Sequence, residues 1–289
     1  MLNNIYNNLN LDDKNIDHLP NNLLSRLGFL EGISLYHNRL QELPNDLWTI
    51  KSLRQLNVSA NNLTSLSEQV ECLENLETLD MNQNKLFSLP DNLHKLPLTN
   101  YLYMADNEFI EIPDVVTKLD RLKYLNFSGN KIKWLPENIG GLKSLVELRV
   151  YNNQIEKLPF SIGECRNLRE LHSMKNRLKT LPVEVGNLSE LRILDFSDNQ
   201  IEILPESIGS LSSLKILNLR NNKLDCLVDE LGNLSRLLYL DLRNNNLKEI
   251  PISILKLKKL EKLDLRCNKY LNFPTWIDEL ENNGCVILH

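Results

Sequence analysis

Asparagine returns every 23 residues along most of this chain, at Asn38, Asn61, Asn84, Asn107, Asn130, Asn153, Asn176, Asn199, Asn222, Asn245 and Asn268. A period kept without slippage over that many copies means one structural unit stacked on copies of itself, which excludes an ordinary compact globule. A stack of this kind presents a long ordered surface and few enclosed cavities. Recognition of a macromolecule is therefore expected before chemistry on a small molecule.

The same frame of apolar positions surrounds each asparagine. In the copy from Leu122 to Ser144 the fixed points are Leu122, Leu125, Phe127, Asn130, Ile132, Leu135, Pro136, Ile139 and Leu142. The frame fits again from Leu76, Leu145, Leu168, Leu191, Leu214, Leu237 and Leu260, and reads LxxLxLxxNxLxxLPxxIxxLxx. Apolar residues at the fourth and sixth positions, separated by a polar one, predict a half-buried strand. Such strands stack in parallel about 4.8 Å apart, so eleven or twelve rungs would span about 55 Å. The ninth-position asparagine is expected to turn inward, where its amide can both donate to and accept from backbone groups buried by the turn. Leu-Pro then fixes an extended return path, because proline sets its own φ and restricts the residue before it. The IxxL ending predicts a short 3-10 or α turn. No single copy can bury its own leucines, so the core exists only by stacking.

This pattern is similar to the leucine-rich repeat, in the intracellular 23-residue class with Leu-Pro after the asparagine segment. It resembles the repeats of Ras-binding scaffold and Ras-suppressor proteins and of leucine-rich-repeat effectors of intracellular bacteria. The resemblance covers about residues 6–289. It implies an α/β fold: a curved leucine-rich repeat solenoid with a parallel β-sheet on the concave face and short 3-10 or helical turns on the convex face. One domain over 1–289 is expected, with a degenerate N-terminal capping repeat at 6–29 carrying Lys14 at the asparagine position. Eleven regular repeats over 30–282 and a truncated closing strand at 283–289 complete it, and in that strand Val286 and Leu288 are expected to point inward. The resemblance also implies a binding role, with a signalling scaffold for a small GTPase or phosphatase as the alternative to an enzyme regulator.

Composition narrows the partners. Net charge is −5 and the pI about 5.7, which gives no support for duplex nucleic acid as a partner, since that requires a basic face. The five cysteines (Cys72, Cys165, Cys226, Cys267, Cys285) fall at scattered repeat positions with no CxxC pair, which favours a reducing compartment. Met1–Tyr6 has neither a basic start nor an apolar run, so no secretory leader is expected, and no stretch approaches membrane-spanning length. Localisation in a cytoplasm is expected, including a host cytosol after translocation from a bacterium. Cys285-Val286-Ile287-Leu288 would form a prenylation box at a terminus, but His289 follows it. Membrane association is therefore expected only if Cys285 is lipidated.

Chemistry is not expected. Walker, GxSxG, HExxH, EF-hand and kinase signatures are all missing. The five histidines occupy unrelated positions, so no metal site is expected, and neither is a cofactor or a catalytic residue. Asp80, Asp195, Asp241 and Asp264 share the fifth position, where they are expected to face solvent as ordinary surface carboxylates.

The informative residues are those the stack does not need, at the third, fifth, seventh and eighth positions. Tyr36, Tyr101, Tyr103, Tyr124, Tyr151 and Tyr239 all fall there. Tyr103 at the fifth position, and Tyr36 and Tyr151 at the seventh, replace small polar residues. Tyr101, Tyr103, Tyr124 and Tyr151 with Arg149, His172, Met174 and Lys175 predict one contiguous aromatic and cationic binding patch over repeats four to seven, made of residue types enriched at protein interfaces. Tyr36 is a separate expected contact. Arg220, Arg243 and Arg266 recur at the seventh position on three rungs, as a docking strip for a carboxylate or phosphate or as an Arg–Asp ladder. The expected partner is another folded protein, such as an enzyme, gripped by a chain that is a monomer on its own.

Overall fold

The computed structural model describes residues 7–20 and 22–289. Tyr6, the first residue of the expected capping repeat, and the N-terminal segment considered for a leader lie outside them. The described chain forms two compact units, one ending at Lys131 and one beginning at Ile132.

In the first unit six three-residue strands pair in parallel and in chain order: β1 (Asn8–Asn10), β2 (Gly32–Ser34), β3 (Gln55–Asn57), β4 (Thr78–Asp80), β5 (Tyr101–Tyr103) and β6 (Tyr124–Asn126). The second unit has seven, again parallel and sequential: β7 (Glu147–Arg149), β8 (Glu170–His172), β9 (Ile193–Asp195), β10 (Ile216–Asn218), β11 (Tyr239–Asp241), β12 (Lys262–Asp264) and β13 (Val286–Leu288). Each strand occupies the third to fifth positions of its copy. The fourth and sixth positions are buried in the regular copies, as at Leu125 and Phe127 or Leu194 and Phe196. Among the described residues the return segments are 3-10 turns, with α-helix only at α1 (Leu23–Arg26) and α2 (Ile277–Asn282). The expected leucine-rich repeat architecture therefore holds in each unit, with a parallel sheet on one side and short turns on the other.

The ninth-position asparagines do more than close their own turn. Asn199 Nδ2 donates to the carbonyls of Phe196 and Ser197 in its own copy (3.0 and 3.2 Å) and to Ser173 one rung back (3.0 Å), while its Oδ1 accepts from Leu178 N (3.0 Å). Each asparagine thus bonds two rungs together inside the core, where an unmet amide or carbonyl is costly. Pro113, Pro159, Pro182 and Pro205 lead into their turns with ψ of 138–154°, the extended path that Leu-Pro predicts. Val228, in place of proline, takes the same extended conformation (φ −79°, ψ 143°), a region open to β-branched residues.

Two features escaped the sequence. Every eighth position from His37 to Cys267 has positive φ, eleven residues of which only Gly129 is a glycine. Asn, Asp, Lys, His, Gln, Ala and Cys accept this left-handed conformation because the neighbouring rungs bond the turn on both sides. In the second unit the turns also approach very closely: a Cβ at Gly186 or Gly209 would lie 2.5 or 2.3 Å from the Ser207 or Glu230 carbonyl oxygen of the next turn.

One expectation fails in β13. Ile287 points inward, whereas Val286 is 57% exposed. Ile287 pairs with Leu263 and Val286 with Lys262, one residue out of the predicted register. A one-residue slip exchanges the two faces of a strand. Here Cys285 and Ile287 fill the inward sites, so the Cys285 thiol is itself buried.

Candidate functional site

What the fifth position does structurally separates scaffold from site. Asn57, Asp80, Asn126, Asp195, Asn218, Asp241 and Asp264 each accept, through a side-chain oxygen, the N–H two residues on, at 3.0–3.3 Å. This is an Asx turn, and it ends the strand. Tyr103, Arg149 and His172 hold the same position and cannot make it. In the first of these copies Ala105 N turns instead to Asn82 Oδ1, 2.6 Å away on the previous rung. The sequence carries this signal, in the Asp or Asn at the fifth position of most copies, but only the hydrogen bonds disclose its meaning.

The aspartates are accordingly less solvent-facing than expected. Asp264 is 3% exposed. Burial pushes its carboxyl up, but the hydrogen bonds from Arg266 outweigh this and hold it below the ordinary value. Burial raises Asp80 and Asp241, only partly opposed by their turn hydrogen bonds.

In the first unit the predicted tyrosines divide. Tyr101 and Tyr103 stack on each other, ring centroids 4.5 Å apart and planes at 23°, half-buried on the strand face. Tyr124 lies in register beside Tyr101 on β6. Tyr36 is 40% exposed and sits three strands away from this pair, about 14 Å, next to His37. A hollow of about 290 Å³ opens on this face beside Tyr101, lined by Gln55, Asn57, Ser34 and Asn10 among others.

In the second unit Arg149 lies opposite His172 in the β7–β8 register. Arg149 Nε donates to Glu147 on its own strand, and His172 Nε2 is 3.1 Å from Glu170 Oε2. Glu147, Glu170 and His172 bring one ligand atom each within 4.8 Å of the others. These types could hold a divalent ion, but each is already engaged, two with one another and Glu147 with Arg149. Tyr151 and Met174 are half-buried at the seventh position, and Lys175 is exposed at a left-handed eighth position (φ 54°).

The arginine strip resolves into ion pairs. Arg266 meets Asp264 at 2.6 Å and Arg243 meets Asp241 at 3.7 Å. Arg220 pairs not with its own strand but with Asp198 on the previous rung, at 3.3 Å. Asp198 also accepts from the Asn221 amide. Tyr239, on the same face, donates its hydroxyl to Glu261 at 2.8 Å.

The return side adds residues that sequence reading passed over. Phe160 (70% exposed) and Val183 flank a hollow of about 370 Å³ with Pro159 and Pro182. They occupy the position directly after Leu-Pro. Among the described residues, no helix is long and apolar enough to cross a membrane.

Comparison with known proteins is consistent with this geometry. Leucine rich repeat family models match residues 166–224, 75–96, 121–142 and 236–257. The chain is similar to a solved leucine-rich repeat protein of Leptospira interrogans, at 31% identity over 97% of this chain and 83% of that one, with a TM-score of 0.66. A plant peptide hormone receptor, RGFR1, solved in complex with RGF2, is 25% identical with a TM-score of 0.64; the match covers 90% of this chain and 51% of the receptor's. An internalin of Listeria monocytogenes shares the fold at 22% identity, TM-score 0.66, over 90% of this chain and 80% of its own. No curated protein matches.

Proposed function

Because the chain belongs to the leucine-rich repeat family, we propose that it is a non-enzymatic binding module whose strand face grips a folded protein and regulates it, as by covering an enzyme's active site. The observation that carries this reading is the loss of the Asx turn at Tyr103, Arg149 and His172. Scaffold residues were exchanged there for an aromatic, a guanidinium and an imidazole, the types that anchor interfaces. Tyr101 and Tyr124 belong with Tyr103 in the first unit, and Tyr151, Met174 and Lys175 with Arg149 and His172 in the second. Tyr36 is a flanking contact. Arg220, Arg243 and Arg266 are set aside, since each already has a carboxylate.

Pre-ordered strands lose little conformational entropy on binding, which favours steric occlusion as the mechanism. The complex of the related plant receptor with RGF2 supports a role in holding another polypeptide. The Leptospira relative supports a bacterial source, and with it an effector acting in a host cytosol. Affinity purification with Tyr103→Ala and Tyr151→Ala, singly and together, tests the reading. Each anchor lost should cost about 1–3 kcal/mol of binding. Full retention of every partner by a correctly folded double variant would sink it.

A further inference from the structure

We infer that the strand face of the first unit recognises a lysine or arginine side chain of the protein partner, seated on the Tyr101–Tyr103 stack with its charge on Asp80. This rests on the reading above and names the chemistry of one of its contacts. The turn at position 80 needs only one acceptor oxygen, and Asp80 Oδ1 supplies it to Asn82 N at 3.0 Å. Asparagine performs the same task at Asn57, Asn126 and Asn218, so the negative charge at 80 is not needed for the strand end.

The other three aspartates at this position all use their second oxygen: Asp195 Oδ2 accepts from Asn218 Nδ2 at 3.1 Å, and Asp241 and Asp264 meet Arg243 and Arg266. Among the described residues Asp80 Oδ2 has no hydrogen bond and no cation within 4.0 Å. A half-buried carboxylate without a counter-charge is costly in the free protein, and burial raises its proton affinity accordingly. A cation arriving from outside removes that cost.

The surroundings suit a long basic side chain. Asp80 lies in register with Tyr103 on the adjacent strand, and Tyr103 stacks against Tyr101. Aromatic faces beside a carboxylate give the methylene stem an apolar wall and the cationic head an attractive ring quadrupole. The neighbour on the other side, Asn57, is neutral. A small hydrated metal ion would gain nothing from the tyrosines, which favours the organic cation.

Selection of random peptides displayed on phage, against the wild-type chain, Asp80→Asn, Asp80→Glu and Tyr101→Ala/Tyr103→Ala, tests this. The asparagine variant preserves the turn, and thermal melting checks its fold. Lysine or arginine should be enriched in the wild-type pool. Recovery of those clones should fall about tenfold on Asp80→Asn, the size of one charge-assisted contact, and on the tyrosine variant, and persist on Asp80→Glu. A wild-type pool with no basic clone dependent on Asp80 overturns the inference. If that pool still depends on the tyrosines, the binding face stands without the charge; if it depends on neither, the broader reading falls with it.

Discussion

The side-chain amide of Asn176 reaches across a rung boundary to the carbonyl of Val150, 2.9 Å away. Its oxygen meanwhile accepts the buried N–H of Ile155, also at 2.9 Å. Replacing Asn176 with alanine would orphan the buried N–H of Ile155 on the previous copy, whereas the Val150 carbonyl keeps the Asn153 amide at 3.1 Å. At about 1–3 kcal/mol for an orphaned buried group, Asn176→Ala should lose roughly that amount. Urea unfolding measures this, and a change below 1 kcal/mol, on the order of noise for such a series, would contradict the bridging role.

The close approach of the return turns in the second unit makes a second, opposite kind of prediction. Alanine in place of Gly209 adds one methyl group, 2.3 Å from the Glu230 carbonyl oxygen and 2.8 Å from its Cβ. Neither neighbour is the free end of a flexible chain, so the turns must separate. Overpacking of this kind costs about 1–3 kcal/mol. Gly28, with positive φ but open space around its Cβ position, serves as the control that separates crowding from backbone strain.

Two aspartates at equivalent positions should respond to pH with opposite sign. Asp80 has its carboxyl raised by burial above the ordinary 3.8. The folded state then binds the proton more tightly than the unfolded chain, so stability is greatest below 3.8 and is lost as pH climbs through the raised value. Asp264 ends below 3.8 because Arg266 overcomes its burial, so its contribution is present above 3.8 and disappears as pH falls through the lowered value. At about pH 7, Asp80→Asn should therefore melt above the wild type and Asp264→Asn below it. Both differences should shrink toward zero in acid. Matching shifts for the two variants across that range would refute the assignment.

Thiol reactivity follows burial. Burial pushes the Cys165 thiol up to about 12 and that of Cys285 up to about 11, whereas Cys72, Cys226 and Cys267 are exposed. Iodoacetamide at about pH 8 should label Cys72 and Cys267 first and Cys226 more slowly, since burial also raises its thiol. Cys165 and Cys285 should react only after denaturation. Rapid native labelling of Cys285, read by mass spectrometry, would show that β13 does not hold it in place.

Much of the fold could be read from spacing, because it depends on contacts that repeat. Leu125 and Phe127 alternate with polar neighbours, and the same alternation recurs in each copy, so strand, core and stacking direction follow from one frame. The closing strand shows the limit. Val286, Ile287 and Leu288 are all apolar, and alternation cannot choose among apolar residues. Pairing of Ile287 with Leu263 made the choice. The candidate site was legible as a set of unusual residue types, and the stack of Tyr101 on Tyr103 agrees with their spacing. The pairing of Arg220 with Asp198 was not legible, because it joins two copies at positions the frame leaves free.

The sequence alone determined that each unit of this protein is a stack of repeated rungs, since hydrophobic burial and asparagine hydrogen bonding act at fixed intervals along the chain. The tertiary structure decided which charges on those rungs are spent internally. Arg243 and Arg266 find carboxylates within their own copies and Arg220 finds one across a rung, while Asp80 keeps an oxygen free. Side-chain pairing depends on distances of a few ångströms between neighbouring strands, and a linear order of residues does not carry them.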